Sequence, residues 1–298
     1  MIKVDYLNIL YFAPIVFLVL TALGVGMLTK KKGEKWTYRF LLILSFVNFA
    51  LHFLKQFFPS YIAMWPSGLA RSTGENLCAV MVLASPFLLL SKNKYLYDYL
   101  FYMGVISSSL AYLFPTGALG LDLVDASNLF EVGRYYLCHA PILLVAVSLL
   151  TGRIHKLDYH RLLHLPFLIL AAYCLILLDD VLLNLILYRQ DWSTLLDRGQ
   201  DIFNSSFLFG PGVWLDEAFA WAYNYLIPGL QTYRIDGVIH FTPILWLAPY
   251  LFILTFLFGP LFCIRSQHRE MKMDIVRARV KWRLLQNKRK ILKMEETK

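Results

Sequence analysis

The chain has 298 residues, 58% of them hydrophobic against the roughly 45–50% of soluble domains, which excludes an ordinary soluble protein. Its apolar residues come in blocks of about twenty or more, the length a helix needs to cross a hydrocarbon core of about 30 Å. The formal charge of +9 says little about the body: residues 265–298 alone hold 12 basic and 4 acidic side chains, and no nucleic-acid partner is indicated.

Uninterrupted hydrophobicity predicts seven spans, at Leu7 to Leu28, Thr37 to Phe58, Gly74 to Ser91, Tyr97 to Leu119, Phe130 to Leu150, Leu162 to Tyr188 and Thr242 to Ile264. The first is too long for a signal-peptide core and lacks a small-x-small cleavage pattern. Basic turns follow the first span (Lys30, Lys31, Lys32, Lys35, Arg39), the third (Lys92, Lys94) and the fifth (Arg153, Lys156, Arg161). With seven crossings these turns and the tail share one side, leaving Lys3, Arg71, Arg189, Arg198 and Arg234 on the other. The positive-inside rule then puts the amino terminus outside and the carboxyl terminus inside. The expected architecture is an all-α polytopic bundle in the cell membrane, with one membrane domain at residues 1–264 and a basic cytoplasmic tail at 265–298.

The loops assigned to the outside carry Asp122, Asp125, Asp191, Asp197, Asp201, Asp216 and Glu217. Val213 to Leu230, with Trp214, Phe219, Trp221, Tyr223 and Tyr225, reads as an interfacial or re-entrant helix, because a crossing there would reverse the tail. In the tail, Met273, Val276, Val280 and Leu284 recur at helical spacing among Arg and Lys, suiting an amphipathic helix on an anionic inner leaflet. All four cysteines, Cys78, Cys138, Cys174 and Cys263, lie in apolar runs and read as free thiols.

Ionisable residues inside spans are costly and usually functional. Span five carries Glu131, Arg134 and His139; Glu131, Tyr135 and His139 recur every four residues and so share a helical face. His139 lies about 14 Å in from Phe130 at 1.5 Å per residue. Cys78 stands near the outer start of span three, Asn48, His52 and Lys55 on one face of span two, and Asp179, Asp180 and Asn184 in the outer half of span six. Four helices thus bring polar groups to the outer half of the membrane, which predicts a polar pocket opening outward.

A thiol becomes nucleophilic when a neighbouring base takes its proton, and the pocket offers Cys78 with His139 or His52. Attack on an acyl ester would give a thioester that a second hydroxyl resolves, without metal, cofactor or ATP. Asn48, Asn184, His52 and Lys55 are candidate oxyanion donors. Cys138, adjacent to His139, is expected on a different face. His155, His160 and His164 lie in a basic turn, where contact with lipid headgroups is expected rather than metal binding. The buried His, Lys and Asp residues also suit a proton- or solute-coupled transporter, and a scaffold acting through its tail is a third class.

Three stretches in order, Asn76-Leu77-Cys78, then Gly104 with Ala111 through Pro115 and Arg134 through Pro141, then Asn184 with Asn204-Ser205-Ser206-Phe207, resemble motifs of the YwaF-like integral membrane proteins. Their animal relative is an intramembrane O-acyltransferase of ether phospholipids. The resemblance spans about Lys35 to Ile264 and implies an acyl-enzyme on Cys78, His139 as its partner and membrane phospholipids as substrates. Ala79 stands where the animal pattern has a histidine, and Trp214 to Tyr233 is an aromatic insertion. The expected function is therefore thiol-dependent acyl transfer between lipids, supported in the pocket by Asn48, His52, Lys55, Arg134, Tyr135, Asp180 and Asn184.

Overall fold

The structure, a computed structural model, describes residues 2–196, 204, 206–213, 220–235 and 237–296. Seven main helices follow one another: α1 (Ile9–Lys32), α2 (Glu34–Leu54), α3 (Leu77–Leu90), α4 (Lys94–Leu113), α5 (Ala126–Thr151), α6 (His164–Leu182) and α7 (Ala248–Glu296). Each predicted span overlaps one of them or, for the last, the first part of α7, with boundaries that differ by up to six residues. By length and composition, four are apolar and long enough to cross a membrane: α1, α2 with the 3-10 turn Lys55–Phe57, α5, and α6 with its wider final turn Leu183–Tyr188. α3 and the Ala248–Ile264 part of α7 are shorter apolar helices.

Local chemistry sets several boundaries. Asn8 caps α1 by accepting from the Tyr11 amide at 2.9 Å, and Lys30, Lys31 and Lys32 sit in its last turn, where cations suit the helix dipole. α2 ends earlier than expected, at Leu54, and the chain then folds back through two short helices, Pro59–Ala63 and Ser67–Ala70.

The all-α expectation needs one correction. Thr232–Ile235 (β1) and Val238–Phe241 (β2) pair antiparallel, with Ile235 opposite Val238. β-branched and aromatic residues flank Asp236-Gly237, and Gly237 adopts φ +81°, the left-handed geometry that a two-residue hairpin requires. Within the stretch Val213 to Leu230, expected as an interfacial or re-entrant helix, Ala220–Tyr225 forms a short 3-10 helix with Trp221 and Tyr225 exposed. Asp197, Arg198, Asp201, Ser205, Trp214, Asp216, Glu217 and Phe219 lie outside the described residues.

α4 and α5 pack most intimately. A Cβ at Gly104 would stand 2.9 Å from both the Ala146 Cβ and the Ile142 carbonyl oxygen. At the end of the bundle that carries the basic turns, buried Asp98 of α4 accepts from Arg161 (Nε to Oδ2 2.5 Å, Nη2 to Oδ1 3.1 Å) and meets His155 Nε2 at 2.7 Å. The α5–α6 turn is thereby held against α4. His160 bridges Asp158 and Asp274 of α7, each at 3.0 Å, while Tyr159 also donates to Asp274. His164 packs on the Tyr95 ring, 4.6 Å between centroids. Each of these three histidines thus meets a carboxylate or a ring of the same chain, as the α5–α6 turn lies against Asp98 and α7.

Two predictions follow from this packing. Gly104→Ala drives a methyl into backbone that cannot yield, and should cost about 1–3 kcal/mol, read as a lowered melting temperature of the detergent-purified protein. His160 needs both ring protons to donate to Asp158 and Asp274, and these two carboxylates raise its pKa above the ordinary 6.5. A raised folded-state value means that docking of the tail is fully supported below pH 6.5 and is lost as pH rises through the raised value. Proteolysis at the tail arginines should accelerate over that rise, and His160→Ala should remove the pH dependence.

Candidate active site

Asn76 takes an extended conformation (φ −151°, ψ 169°), and its side chain accepts from the Ala79 amide at 2.9 Å, starting α3 at Leu77. Cys78 is consequently the second helical residue. The first-turn amides of Leu77 and Cys78 have no carbonyl of their own helix to bond, and the positive end of the helix dipole lies at the thiol. Ser107 of α4 sits against the Cys78 side chain and donates to the Met103 carbonyl at 2.6 Å.

On α5, Pro141 interrupts the hydrogen-bond ladder one turn after Leu137. Side chains reach the carbonyls of that turn: Tyr112 donates to Tyr136 at 2.8 Å, Ser108 to His139 at 2.8 Å and Asn48 Nδ2 to Cys138 at 3.1 Å. His139 Nδ1 lies 2.6 Å from the Tyr135 carbonyl. A carbonyl only accepts, so Nδ1 carries the proton, and Nε2 keeps its lone pair, the tautomer a general base needs. The Tyr135 ring lies 4.5 Å from the imidazole, centroid to centroid, and its hydroxyl donates to the Ala111 carbonyl at 2.9 Å.

Cys78 and His139 line one cavity of about 590 Å³, within the range of ligand sites. Its wall has two characters. Toward the short helices after α2 stand His52, Lys55, Tyr61, Arg71, Glu75 and Arg134, whereas Val82, Met103, Ile106, Leu110, Phe114 and Ile142 make an apolar flank. Arg134 forks onto Glu131, Nε and Nη2 both at 2.9 Å, and Tyr61 donates to the same carboxylate at 3.1 Å. Lys55 donates to the Arg71 carbonyl, and His52 Nε2 donates to Thr73 at 3.2 Å.

Among the predicted supporting residues, the cavity wall includes His52, Lys55, Arg134 and Tyr135 but not Asn48, Asp180 or Asn184. Asn48 lies behind α5, bonded to its backbone. Asn184 donates to the Asp191 carbonyl at 3.1 Å and closes the final turn of α6, while Asp180 is buried off the cavity. None of the three lines the cavity, which depth along a helix does not by itself decide. Cys138, expected on another face, lines the cavity beside His139, because the cavity spans the 100° that separates adjacent helical residues. Its thiol donates to the Arg134 carbonyl at 2.9 Å, with Arg134 Nη1 at 3.7 Å from Sγ. Tyr61, Arg71, Glu75 and Ser107 were missed; the first three belong to a segment that reads as a loop, and only its density of charge near a span start marks it.

The family model for TMEM164 matches residues 4–227. The chain belongs to the TMEM164 family. This is a family of membrane proteins, and the several apolar helices here agree with a multi-pass member of it. The matched region contains every cavity-lining residue and stops before the hairpin and α7, so the family pattern is that of the site-bearing helices. No curated protein matches the chain, and no solved structure does.

The cap that places Cys78 is directly testable. Asn76→Ala should cost about 1 kcal/mol of stability and slow alkylation of Cys78, whereas Asn76→Asp should keep both near wild type, as read by thermal unfolding and iodoacetamide labelling.

Proposed function

We propose that this protein is a seven-span membrane acyltransferase that moves a fatty-acyl chain between phospholipids through a thioester on Cys78. The observation that carries the reading is the shared cavity: a thiol at a helix start and a histidine with a free Nε2 border one space with a charged side and an apolar side. A phospholipid has the same division. The resemblance to the YwaF-like proteins supports the same assignment of Cys78 and His139.

In the first half-reaction His139 Nε2 takes the thiol proton and the sulfur adds to the carbonyl of the donor ester. The free first-turn amides of Leu77 and Cys78 suit the oxyanion, whereas Asn48 and Asn184 do not line the cavity. Collapse breaks the ester C–O bond, and the imidazolium returns its proton to the departing alkoxide. In the second half-reaction His139 deprotonates the acceptor hydroxyl, which attacks the thioester; the C–S bond breaks and the thiolate recovers the proton. Atoms and charge balance, and no oxidant, metal or nucleotide takes part.

A transporter built on Lys55, Asp179 and Asp180 has less support, since Asp180 lies off the cavity. By its basic turns the protein sits in the cell membrane with its amino terminus outside, and exposed Met273, Val276, Val280 and Trp282 among Arg277, Arg279, Lys281 and Arg283 suit an anionic inner leaflet.

Acyl exchange between phospholipids in reconstituted vesicles tests the reading. Cys78→Ala should abolish turnover, and His139→Gln should lower kcat by about 10²–10⁴-fold with an unchanged melting temperature. Exchange that survives Cys78→Ala would contradict it.

A further inference from the structure

α4 is enclosed along one half and open along the other. Every residue from Tyr97 to Gly104 is buried, with α7 covering that half: Tyr102 donates to the Gly259 carbonyl at 3.1 Å, and the Phe101 and Phe262 rings lie 5.5 Å apart. Past Gly104 the cover ends on one side. Ile106, Leu110 and Phe114 recur every four residues and are 41%, 49% and 57% exposed. The same three side chains line the cavity that holds Cys78. They are thus both wall and surface, so the cavity has a gap to the protein's exterior beside them. Ile106 lies about 10 Å along the helix from its end at Leu113, and with α4 as the fourth span of the proposed bundle that depth lies among acyl chains.

We propose that this gap is a lateral port through which an acyl chain of a lipid in the adjoining leaflet passes over Ile106, Leu110 and Phe114 to reach Cys78. The chemistry of the wall selects the occupant. An apolar stripe at that depth offers no donor or acceptor to a polar solute, and a chain lying on it keeps its hydrocarbon surroundings from the leaflet to the thiol. The charged side of the cavity, with Lys55, Arg71 and Arg134, remains for the lipid's anionic headgroup. The destination of the chain rests on the acyl-transfer reading; the port itself does not.

The test uses the full chain in phospholipid vesicles with the photoreactive residue benzoylphenylalanine at Met103, which is 4% exposed and lines the cavity, or at Leu137, which is 67% exposed and does not. Irradiation should attach lipid at both positions, as read by intact mass. Closing the gap with Ile106→Trp and Leu110→Trp should lower the yield at 103 at least tenfold and leave the yield at 137 unchanged. If the double substitution lowers the melting temperature, Leu110→Phe alone replaces it, with a smaller drop expected at 103. Attachment at 137 but not at 103, or attachment at 103 indifferent to these substitutions in a folded protein, overturns the port. Run on the Cys78→Ala chain, the same crosslinks should persist, so a failure of the thioester chemistry is distinguished from a failure of the port.

Discussion

The arrangement of the site depends on the close crossing of α4 and α5. With no side chain at Gly104, the two helices meet near Ala146 and Ile142, and three side-chain hydrogen bonds tie them along the next two turns. Tyr135 donates to Ala111, Tyr112 to Tyr136 and Ser108 to His139, all at 2.8–2.9 Å. Backbone carbonyls loosened by a proline in an apolar environment need donors, and here the donors come from the neighbouring helix. The same bonds fix the height and rotation of His139 while placing Ser107, the next residue on α4, against Cys78. The geometry around Cys78 and His139 and the helix packing are in this sense one set of contacts.

Around that pair the remaining elements have separable tasks. α3 supplies the thiol from its capped start, α2 braces α5 from behind through Asn48, and the short helices after α2 bring Tyr61, Arg71 and Glu75 to the charged side of the cavity. At the other end of the bundle, the Asp98 and Asp274 clusters hold the basic turn and the tail helix without touching the site. The division agrees with the family match, which covers the site-bearing helices and leaves out α7.

Much of this was legible in the amino-acid sequence because membrane helices announce themselves by length and hydrophobicity, and a cysteine or histidine within them stands out. Cys78 and His139, which line one cavity, stand out that way. Helix rotation was not legible: Asn48, Asp180 and Asn184 were read by depth and do not line the cavity, and Cys138 has a face that only the width of the cavity makes relevant. Rotation follows from which neighbour packs where, which here turns on Gly104 and on the Asn48 bond to α5. The hairpin was readable in principle from Asp236-Gly237 between β-branched runs, but it is short beside the surrounding apolar blocks. The fold-back of Tyr61, Arg71 and Glu75 depends on tertiary contacts such as the Lys55 bond to Arg71, which no local pattern foretells.

The central claim is that Cys78 carries an acyl group, and intact-protein mass spectrometry after incubation with mixed phospholipids addresses it most directly. The account predicts a fatty-acyl mass increment on the wild-type chain that hydroxylamine removes and that is missing from Cys78→Ala. An increment that persists in Cys78→Ala, or a wild-type chain that exchanges lipid acyl groups at a rate unchanged by Cys78→Ala while never gaining mass, would contradict it.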